Sequence, residues 1–229
     1  MKNGNDHKEA CRRVTARFRW RLLRQYVGHK IRSDPAYPAV YDLVRSSTEP
    51  LLDIGCGVGL LGFYLRERGF KNPIIGFDRD ARKVSTAREI AAAYSEIDVR
   101  KQDLHDRLPD FSGSVAMLDV LHYLPPVDQD NLLLRLTEQI APGGVLLLRD
   151  CPRDGGFRYA ATILAEKFAQ LISWNVSAPI YFPSRERIIK NFSPDEFTHD
   201  VRPLWGATPF NSYLFTFRRR ASVTVSSAG

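Results

Sequence analysis

An acidic residue followed by alternating glycines is the segment of this sequence with the clearest chemical meaning. Leu51–Ile54 is a short apolar run that predicts a β-strand, and Asp53 stands in it just before the glycines. The loop that follows contains Gly55, Gly57 and Gly59. Glycines allow a tight turn and let a ligand approach the backbone without a Cβ in its path. Leu60–Arg68 predicts a helix whose N-terminus offers free N–H groups to an anionic group, so the segment predicts a nucleotide-like ligand site.

A second carboxylate narrows the choice of ligand. Asp78 stands 25 residues after Asp53, at the end of the predicted strand Ile74–Phe77, where a carboxylate can accept hydrogen bonds from both hydroxyls of a ribose. Gly57–Gly62 also matches the GxGxxG pattern of dinucleotide sites. Asp53 argues against a dinucleotide ligand, because an extra carboxylate repels a pyrophosphate. The same carboxylate suits S-adenosylmethionine, which carries an ammonium and a sulfonium. The alternative is a purely structural turn.

These residues resemble the motifs of a known enzyme family. Asp53–Gly59 resembles the first motif of class I S-adenosylmethionine-dependent methyltransferases, and Gly76–Asp78 resembles their second motif. The stretch Leu118–Tyr123 is similar to their fourth motif, which lies under the methyl donor. The resemblance covers residues 48–150 well and the rest of the chain more loosely.

The resemblance implies a role for each matching residue. The glycine loop would pass beneath the methionine part of the cofactor, Asp78 would hold the ribose, and Asp103 would bind the adenine amino group with Leu104 beside the ring. Each carboxylate also has a structural alternative: Asp78 as a helix cap, Asp103 as a turn residue and Asp119 as a loop anchor. The implied cofactor-binding set is Asp53, Gly55, Cys56, Gly57, Gly59, Leu60, Asp78, Arg79, Asp103, Leu104 and Asp119.

Methyl transfer from a sulfonium is an in-line displacement, so an enzyme mainly orients the acceptor and excludes water. A general base is needed only when the acceptor must first lose a proton. His122, on the loop after the fourth strand, is the candidate base, and Tyr123 is a weaker catalytic candidate that also suits a pocket wall. The alternative for His122 is loop packing. No Asn/Asp-Pro-Pro-aromatic signature and no HxxxE or HxxxD cluster is present, so we expect neither adenine-amine transfer nor a metal.

The regions before the first strand and after the fifth strand usually carry acceptor specificity in this fold. Both contain aromatic and basic residues, which favours a largely apolar pocket for an acceptor with an acidic group. The stretch Arg202–Asn211 is similar to the end of small bacterial methyltransferases from polyene or fatty-acid-derived lipid clusters. We therefore expect a small or lipid-like acceptor, with an acidic carrier protein as a candidate partner. The acceptor candidates are Tyr26, His29, Tyr37, Arg158, Tyr159 and Trp205.

Strand–helix repetition between residues 51 and 150 predicts a Rossmann-like, doubly wound α/β fold. The sheet is expected to be mostly parallel and seven-stranded, with an antiparallel C-terminal hairpin at 201–205 and 212–218 and an N-terminal helical lid. We divide the chain into a lid at 1–46, a cofactor-binding core at 47–150, substrate-side helices with the hairpin at 151–220, and a disordered tail at 221–229. The lid is expected to contain one helix over residues 10–30 and a second near Tyr37–Ser46.

The composition limits the classes of protein to which this sequence can belong. The chain has 229 residues, 44% hydrophobic and 26% charged, which excludes a wholly disordered protein. Three cysteines in no zinc or disulfide pattern, and no signal peptide or apolar run long enough to span a bilayer, predict a cytoplasmic protein.

The net charge of +7 is unevenly distributed. It equals the seven basic and no acidic residues of 10–30, so one basic element stands on a nearly neutral body. We expect its apolar stripe to pack over the mouth of the cofactor site and its arginines to face a membrane, an acidic carrier, RNA or solvent. The alternative functions are an RNA methyltransferase, an inactive S-adenosylmethionine-binding protein and a nicotinamide oxidoreductase. Nucleic acid is not the expected partner, because the body is not basic.

Overall fold

A central sheet of seven strands positions every candidate residue. This computed structural model describes residues 2–106, 108–153, 156–171, 179–206 and 208–221. The predicted tail lies outside the described residues from 222 onward. The strands are β1 Leu51–Ile54, β2 Ile74–Asp78, β3 Ile97–Lys101, β4 Ser114–Leu118, β5 Val145–Asp150, β6 Phe197–Pro203 and β7 Tyr213–Arg219.

The strand order is β3-β2-β1-β4-β5-β7-β6. The first five strands pair in parallel, and β7 pairs antiparallel with both β5 and β6. The strand order changes direction at β1, with β2 and β3 on one side of it and β4 and β5 on the other. Ligand-binding loops are therefore expected to meet at the carboxyl ends of β1 and β4. The predicted fold class is therefore confirmed. The first hairpin strand begins four residues earlier than predicted and ends at Pro203, so Trp205 lies beyond its end.

Helices cover both faces of the sheet. They are α1 Lys2–Arg17, α2 Arg21–Ser33, α3 Ala36–Val44, α4 Leu60–Glu67, α5 Ala81–Ala91, α6 Pro126–Gln139, α7 Phe157–Leu171 and α8 Arg185–Ile189. Every residue of β1 and β5 is buried, including Asp53, Arg149 and Asp150, because helices cover both faces of these strands. No helix in the described parts of the chain is long and apolar enough to cross a lipid bilayer.

The N-terminal region is a pair of antiparallel helices. The thiol of Cys11 on α1 lies 3.4 Å from the backbone oxygen of Ile31 on α2, and a Cβ on Gly28 would stand 3.0 Å from Thr15 Cγ2. The single helix predicted over 10–30 is therefore wrong, because the chain reverses at 18–20. The regular spacing of apolar residues hid this reversal: Leu22, which that spacing aligned with the buried stripe, is 81% exposed.

The buried face of α1 packs on α4, the helix that follows the glycine loop. Ala10, Cys11, Val14 and Phe18 are all buried in the core cluster on this side of the sheet. His7 Nδ1 lies 2.8 Å from the Tyr64 hydroxyl of α4. Because the apolar stripe of α1 is used against α4 and α2, the expectation that it packs over the mouth of the cofactor site is wrong.

Candidate functional site

The glycine loop has a backbone that only glycine adopts easily. Gly55, Gly57 and Gly59 have φ angles of +70°, +57° and +82°. A Cβ on Gly55 would stand 2.4 Å from Val120 Cγ2, whereas nothing lies within 4 Å of the Cβ position of Gly57. The N–H groups of Gly55 and Cys56 donate to the backbone oxygen of Phe77 at 2.8 and 3.0 Å. The loop is thus fixed to β2 and leaves the Gly57 backbone open to a ligand.

Asp78, at the end of β2, binds the backbone of the glycine loop. The Gly57 N–H donates to Asp78 Oδ2 at 3.0 Å, and the Asp80 N–H donates to Asp78 Oδ1 at 2.8 Å. The N-cap of α5 is Asp80, whose carboxylate accepts from the Arg82 N–H. The helix-cap alternative for Asp78 is therefore wrong. Each Asp78 oxygen retains a second lone pair for a hydroxyl donor.

Asp53 is buried, with 4% of its surface exposed, directly beneath the loop. Burial, followed by the nearby charge of Asp78, raises the pKa of Asp53 to about 7. Among the described residues, no side-chain cation or N–H group bonds to this carboxylate. A cation placed beside it would relieve both costs, so this end of the site is suited to an ammonium group.

The other end of the site is a groove between the ends of β2 and β3. Arg79, Asp80, Lys101, Gln102, Asp103 and Asp106 line it. Asp103 Oδ1 accepts from the His105 N–H at 3.0 Å and lies 2.7 Å from His105 Nδ1. The backbone hydrogen bond from His105 lowers the pKa of Asp103. Asp103 is therefore a turn residue that also faces the groove, and Leu104 packs half-buried on the α6 side of the sheet.

A buried arginine that the sequence analysis missed joins the N-terminal region to the sheet. Arg149, at the end of β5, donates to Asp119 through Nε at 2.9 Å and through Nη2, and its Nη1 donates to Asp34. Asp119 has a φ of +59°, which is uncommon for a residue other than glycine. Burial raises the pKa of Asp34, but the charges of Arg149 and Lys30 outweigh it and hold the pKa at about 2. The sequence did offer a signal for Arg149, because polar residues directly follow the apolar run 145–148.

His122 lies in a single 3₁₀ turn after β4 and is 2% exposed. Its Nδ1 is 2.9 Å from Asp150 Oδ1, and its N–H donates to Asp150 Oδ2 at 3.2 Å. The Tyr123 ring is 4.3 Å away and the Phe182 ring 5.2 Å away between centroids, and Phe182 contacts Tyr159 at 5.5 Å. The candidate base is therefore oriented by a carboxylate and enclosed by aromatic rings.

The fold brings some of the acceptor candidates together and leaves others apart. Arg158 stacks over Trp205 at 4.5 Å and donates to the backbone oxygen of Thr208 at 2.6 Å, which joins α7 to the 205–211 loop. Tyr37 is buried, and burial followed by the charge of Asp34 raises its pKa. Tyr26 lies near enough to act on Tyr37, but it is 40% exposed.

His29 is exposed on α2, three residues after Tyr26. The N-terminal residues that approach the site are thus Asp34 and Tyr37, with Tyr26 near Tyr37. Within the described residues, no three His, Cys, Asp or Glu side chains form a metal-binding group.

Comparison with known proteins agrees with this geometry. A family model described as "Methyltransferase domain" matches residues 45–181, which is more than half of the chain. A curated protein from Shewanella amazonensis, named carboxy-S-adenosyl-L-methionine synthase, is 26% identical over 131 residues, 52% of this chain and 54% of its own. The chain therefore spans about half the length of the curated relatives it matches.

Solved structures show the same fold over more of the chain. Magnesium protoporphyrin IX methyltransferase from Synechocystis PCC 6803, solved with bound SAH, has a TM-score of 0.63 and 23% identity, covering 92% of this chain and 93% of that chain. An N-methyltransferase from Bradyrhizobium japonicum WM9, in complex with S-adenosyl-L-homocysteine, has a TM-score of 0.59 and 16% identity, covering 81% and 85%.

Proposed function

This chain belongs to the methyltransferase domain family, and we propose that it transfers a methyl group from S-adenosylmethionine to an apolar acceptor bearing a ring or an acyl chain. The family match confirms the predicted class I S-adenosylmethionine-dependent methyltransferase and its cofactor. The observation that carries the acceptor class is the row of contacting rings formed by His122, Phe182 and Tyr159 beyond the end of β4.

The residues of the site fit this cofactor. The open backbone at Gly57 accommodates the amino-acid part, the buried carboxylate of Asp53 matches an α-ammonium, and Asp78 has lone pairs left for the ribose hydroxyls. Asp103, which lines the groove at the end of β3, would contact the adenine, and the adjacent Leu104 would lie beside the ring. When bound, S-adenosylmethionine supplies an electrophilic methyl group, so the protein itself needs no metal or redox group for this reaction.

The acceptor side offers apolar surface and one cation. Tyr159 and Phe182 provide flat ring faces, and the Arg158 guanidinium over Trp205 provides a positive charge at the rim. Phe157 and Leu164, one face of α7, are 82% and 71% exposed and extend the apolar surface away from the sheet. This combination suits an acyl chain or aromatic ring that carries an anionic group at one end.

His122 has the arrangement of a general base for a hydroxyl acceptor. Asp150 accepts the proton of Nδ1, which leaves Nε2 as the nitrogen that takes a proton, and the buried carboxylate stabilises the imidazolium that forms. The N–H bond from the His122 backbone to the same carboxylate fixes the position of the loop. Asp150 is therefore a positioning residue for His122.

The test is methyl transfer from isotopically labelled S-adenosylmethionine to a panel of acceptors, read by mass spectrometry. The panel contains hydroxylated fatty acids, phenolic acids, the same groups as thioesters on an acyl carrier protein, and RNA. We expect transfer to the apolar acids or their thioesters, with a raised KM in Tyr159→Ala and an unchanged KM in Leu134→Ala, which is exposed on α6.

Two outcomes contradict the proposal. Transfer to RNA alone would support the RNA methyltransferase instead. A cofactor that gains a carboxyl group, with no methylated acceptor, would support the activity for which the curated relatives are named. Asp150→Asn tests the base: it should lower kcat and move the acid limb of the pH–rate profile to lower pH, because the imidazolium loses its carboxylate, whereas a residue that only packs would change KM or stability alone.

A further inference from the structure

Large apolar and basic side chains are exposed together where the chain reverses between α1 and α2. Trp20 and Leu22 are each 81% exposed, the highest exposure of large apolar residues on the N-terminal helices. The four arginines around them are also exposed. We call this group the basic corner: Arg17, Arg19, Trp20, Arg21, Leu22 and Arg24.

The basic corner lies at the end of the domain opposite the cofactor site. Arg17 stands over the ring of Tyr94 at 5.2 Å, and Arg19 Nη1 lies 3.5 Å from a Glu89 carboxylate oxygen. Tyr94 and Glu89 lie at the end of α5 that leads into the start of β3, whereas the glycine loop follows the end of β1. The corner therefore contacts the turn between α5 and β3 and not the loops that follow β1 and β4.

We infer that the basic corner anchors the enzyme to an anionic lipid surface, with the cofactor edge of the sheet facing away from it. A Trp and a Leu flanked by arginines is the composition of an interfacial anchor, because the rings and alkyl group enter the headgroup boundary while the guanidinium groups meet lipid phosphates. Residues 10–30 contain no acidic side chain, so the lipid charge meets no repulsion from this segment.

The shape of the corner favours a lipid surface over a macromolecule. Single-stranded nucleic acid is held in grooves with stacking platforms, and the corner is a projecting turn with one indole. A stable protein partner needs roughly 800 Å² on each side, more than six residues at a helix reversal provide. The Arg19–Glu89 pair does not neutralise the corner, since both side chains are largely exposed and such pairs are weak.

The experiment is sedimentation of the full chain with vesicles of pure phosphatidylcholine and with vesicles containing about 30% phosphatidylglycerol, at low and high salt. We expect binding to the anionic vesicles only, weakened by salt. Arg21→Gln with Arg24→Gln should lower the partition coefficient about 25-fold, since each basic residue contributes roughly a factor of five. Arg45→Gln with Arg202→Gln removes the same charge elsewhere and should leave most of the binding intact.

The apolar part of the anchor needs its own readout. Phosphatidylglycerol vesicles with brominated acyl chains should quench tryptophan fluorescence in the wild-type chain, and Trp20→Phe should abolish that quenching while leaving affinity for S-adenosylhomocysteine unchanged. Equal binding to neutral and anionic vesicles, or equal losses in the two arginine variants, overturns the inference. An RNA oligomer bound more tightly than the vesicles, or a dimer dissociated by Trp20→Ala with Leu22→Ser, would assign the corner to nucleic acid or to a second copy instead.

Discussion

Two pairs of carboxylates lie at the carboxyl edge of the sheet, and they are neutralised in different ways. Asp34 and Asp119 share the buried guanidinium of Arg149. Asp53 and Asp78 lie near each other with no cation from the described residues, and their mutual repulsion adds to the cost of burial. The first pair is complete within the chain and holds α2 and α3 against β4 and β5. Under the proposed function, the ammonium group of the bound cofactor completes the second pair.

The pKa values of Asp34 and Asp53, one carboxylate from each pair, shift in opposite directions as a result. The pKa of Asp34 is lowered to about 2, whereas that of Asp53 is raised to about 7. A buried carboxylate that is paired with a cation of the same chain stabilises the folded state. A buried carboxylate without such a partner destabilises the folded state, and a bound cationic ligand offsets that cost. The contrast separates a structural ion cluster from a binding site better than burial alone, because both Asp34 and Asp53 are largely buried.

The largest effect should follow from removing the cation of the complete pair. Arg149→Met should lower the free energy of unfolding by about 3–5 kcal/mol, because it leaves two carboxylates without their partner. Urea denaturation measures the change. Arg100→Met, which breaks the exposed pair with Asp98, is the matched control and should cost less than about 1 kcal/mol. Similar losses in the two variants would mean that the Arg149 cluster does not hold the N-terminal region.

Removing the charge of the incomplete pair should have the opposite effect on stability. The folded pKa of Asp53 is raised, so the folded state binds more protons than the unfolded state, and stability falls as pH rises from about 4 to 7. Asp53→Asn should therefore raise the unfolding free energy of the ligand-free protein at about pH 8, by as much as about 4 kcal/mol. The variant should also bind S-adenosylhomocysteine more weakly. A stability loss in this variant at about pH 8 would contradict the assignment, with Asp98→Asn as the exposed control.

The ribose role of Asp78 predicts a loss of affinity with a smaller effect on the fold. Asp78→Ala removes charge-assisted hydrogen bonds worth about 1.5–3 kcal/mol each, so the Kd for S-adenosylhomocysteine should rise about tenfold or more in calorimetry. Asp78→Asn retains an acceptor for the Gly57 N–H and should lose less. An unchanged Kd in a folded Asp78→Ala protein would reject the role, and tight NAD binding would reject the cofactor.

The two members of the complete pair should differ from each other. Asp119 is 37% exposed at its side chain and has a left-handed φ that asparagine tolerates, so Asp119→Asn should cost about 1 kcal/mol or less. Asp34→Asn should cost more, because its side chain is 12% exposed.

The lowered pKa of Asp34 sets the pH window of this difference. Its contribution is present above about pH 4 and is lost as pH falls through about 2. Acid titration of unfolding should therefore show a smaller loss of stability in Asp34→Asn than in the wild-type chain. Equal acid sensitivity would show that Asp34 gains nothing from Arg149.

The donor half of the site was predictable because its information is local. Asp53, Gly55, Gly57 and Asp78 lie on consecutive elements, and the turn geometry that needs glycine is set by residues within a few positions of one another. The apolar runs also predicted β1 and β2 to within one residue, since largely apolar strands are characteristic of a covered parallel sheet.

Other features depended on contacts between distant parts of the chain. Arg149 and Asp34 are 115 residues apart, and His122 and Asp150 are 28 apart, so neither pairing has a local signal. The reversal at 18–20 was hidden because apolar residues at spacings of three and four fit one helix as well as two antiparallel ones.

The sequence alone therefore determined the cofactor loop, the family and the fold class, because each depends on residue types at short range. Only the tertiary structure decided which carboxylates have a cation and which side chains remain exposed at the basic corner. Burial and charge pairing are properties of the packed chain, and they are fixed by which distant residues the fold places side by side.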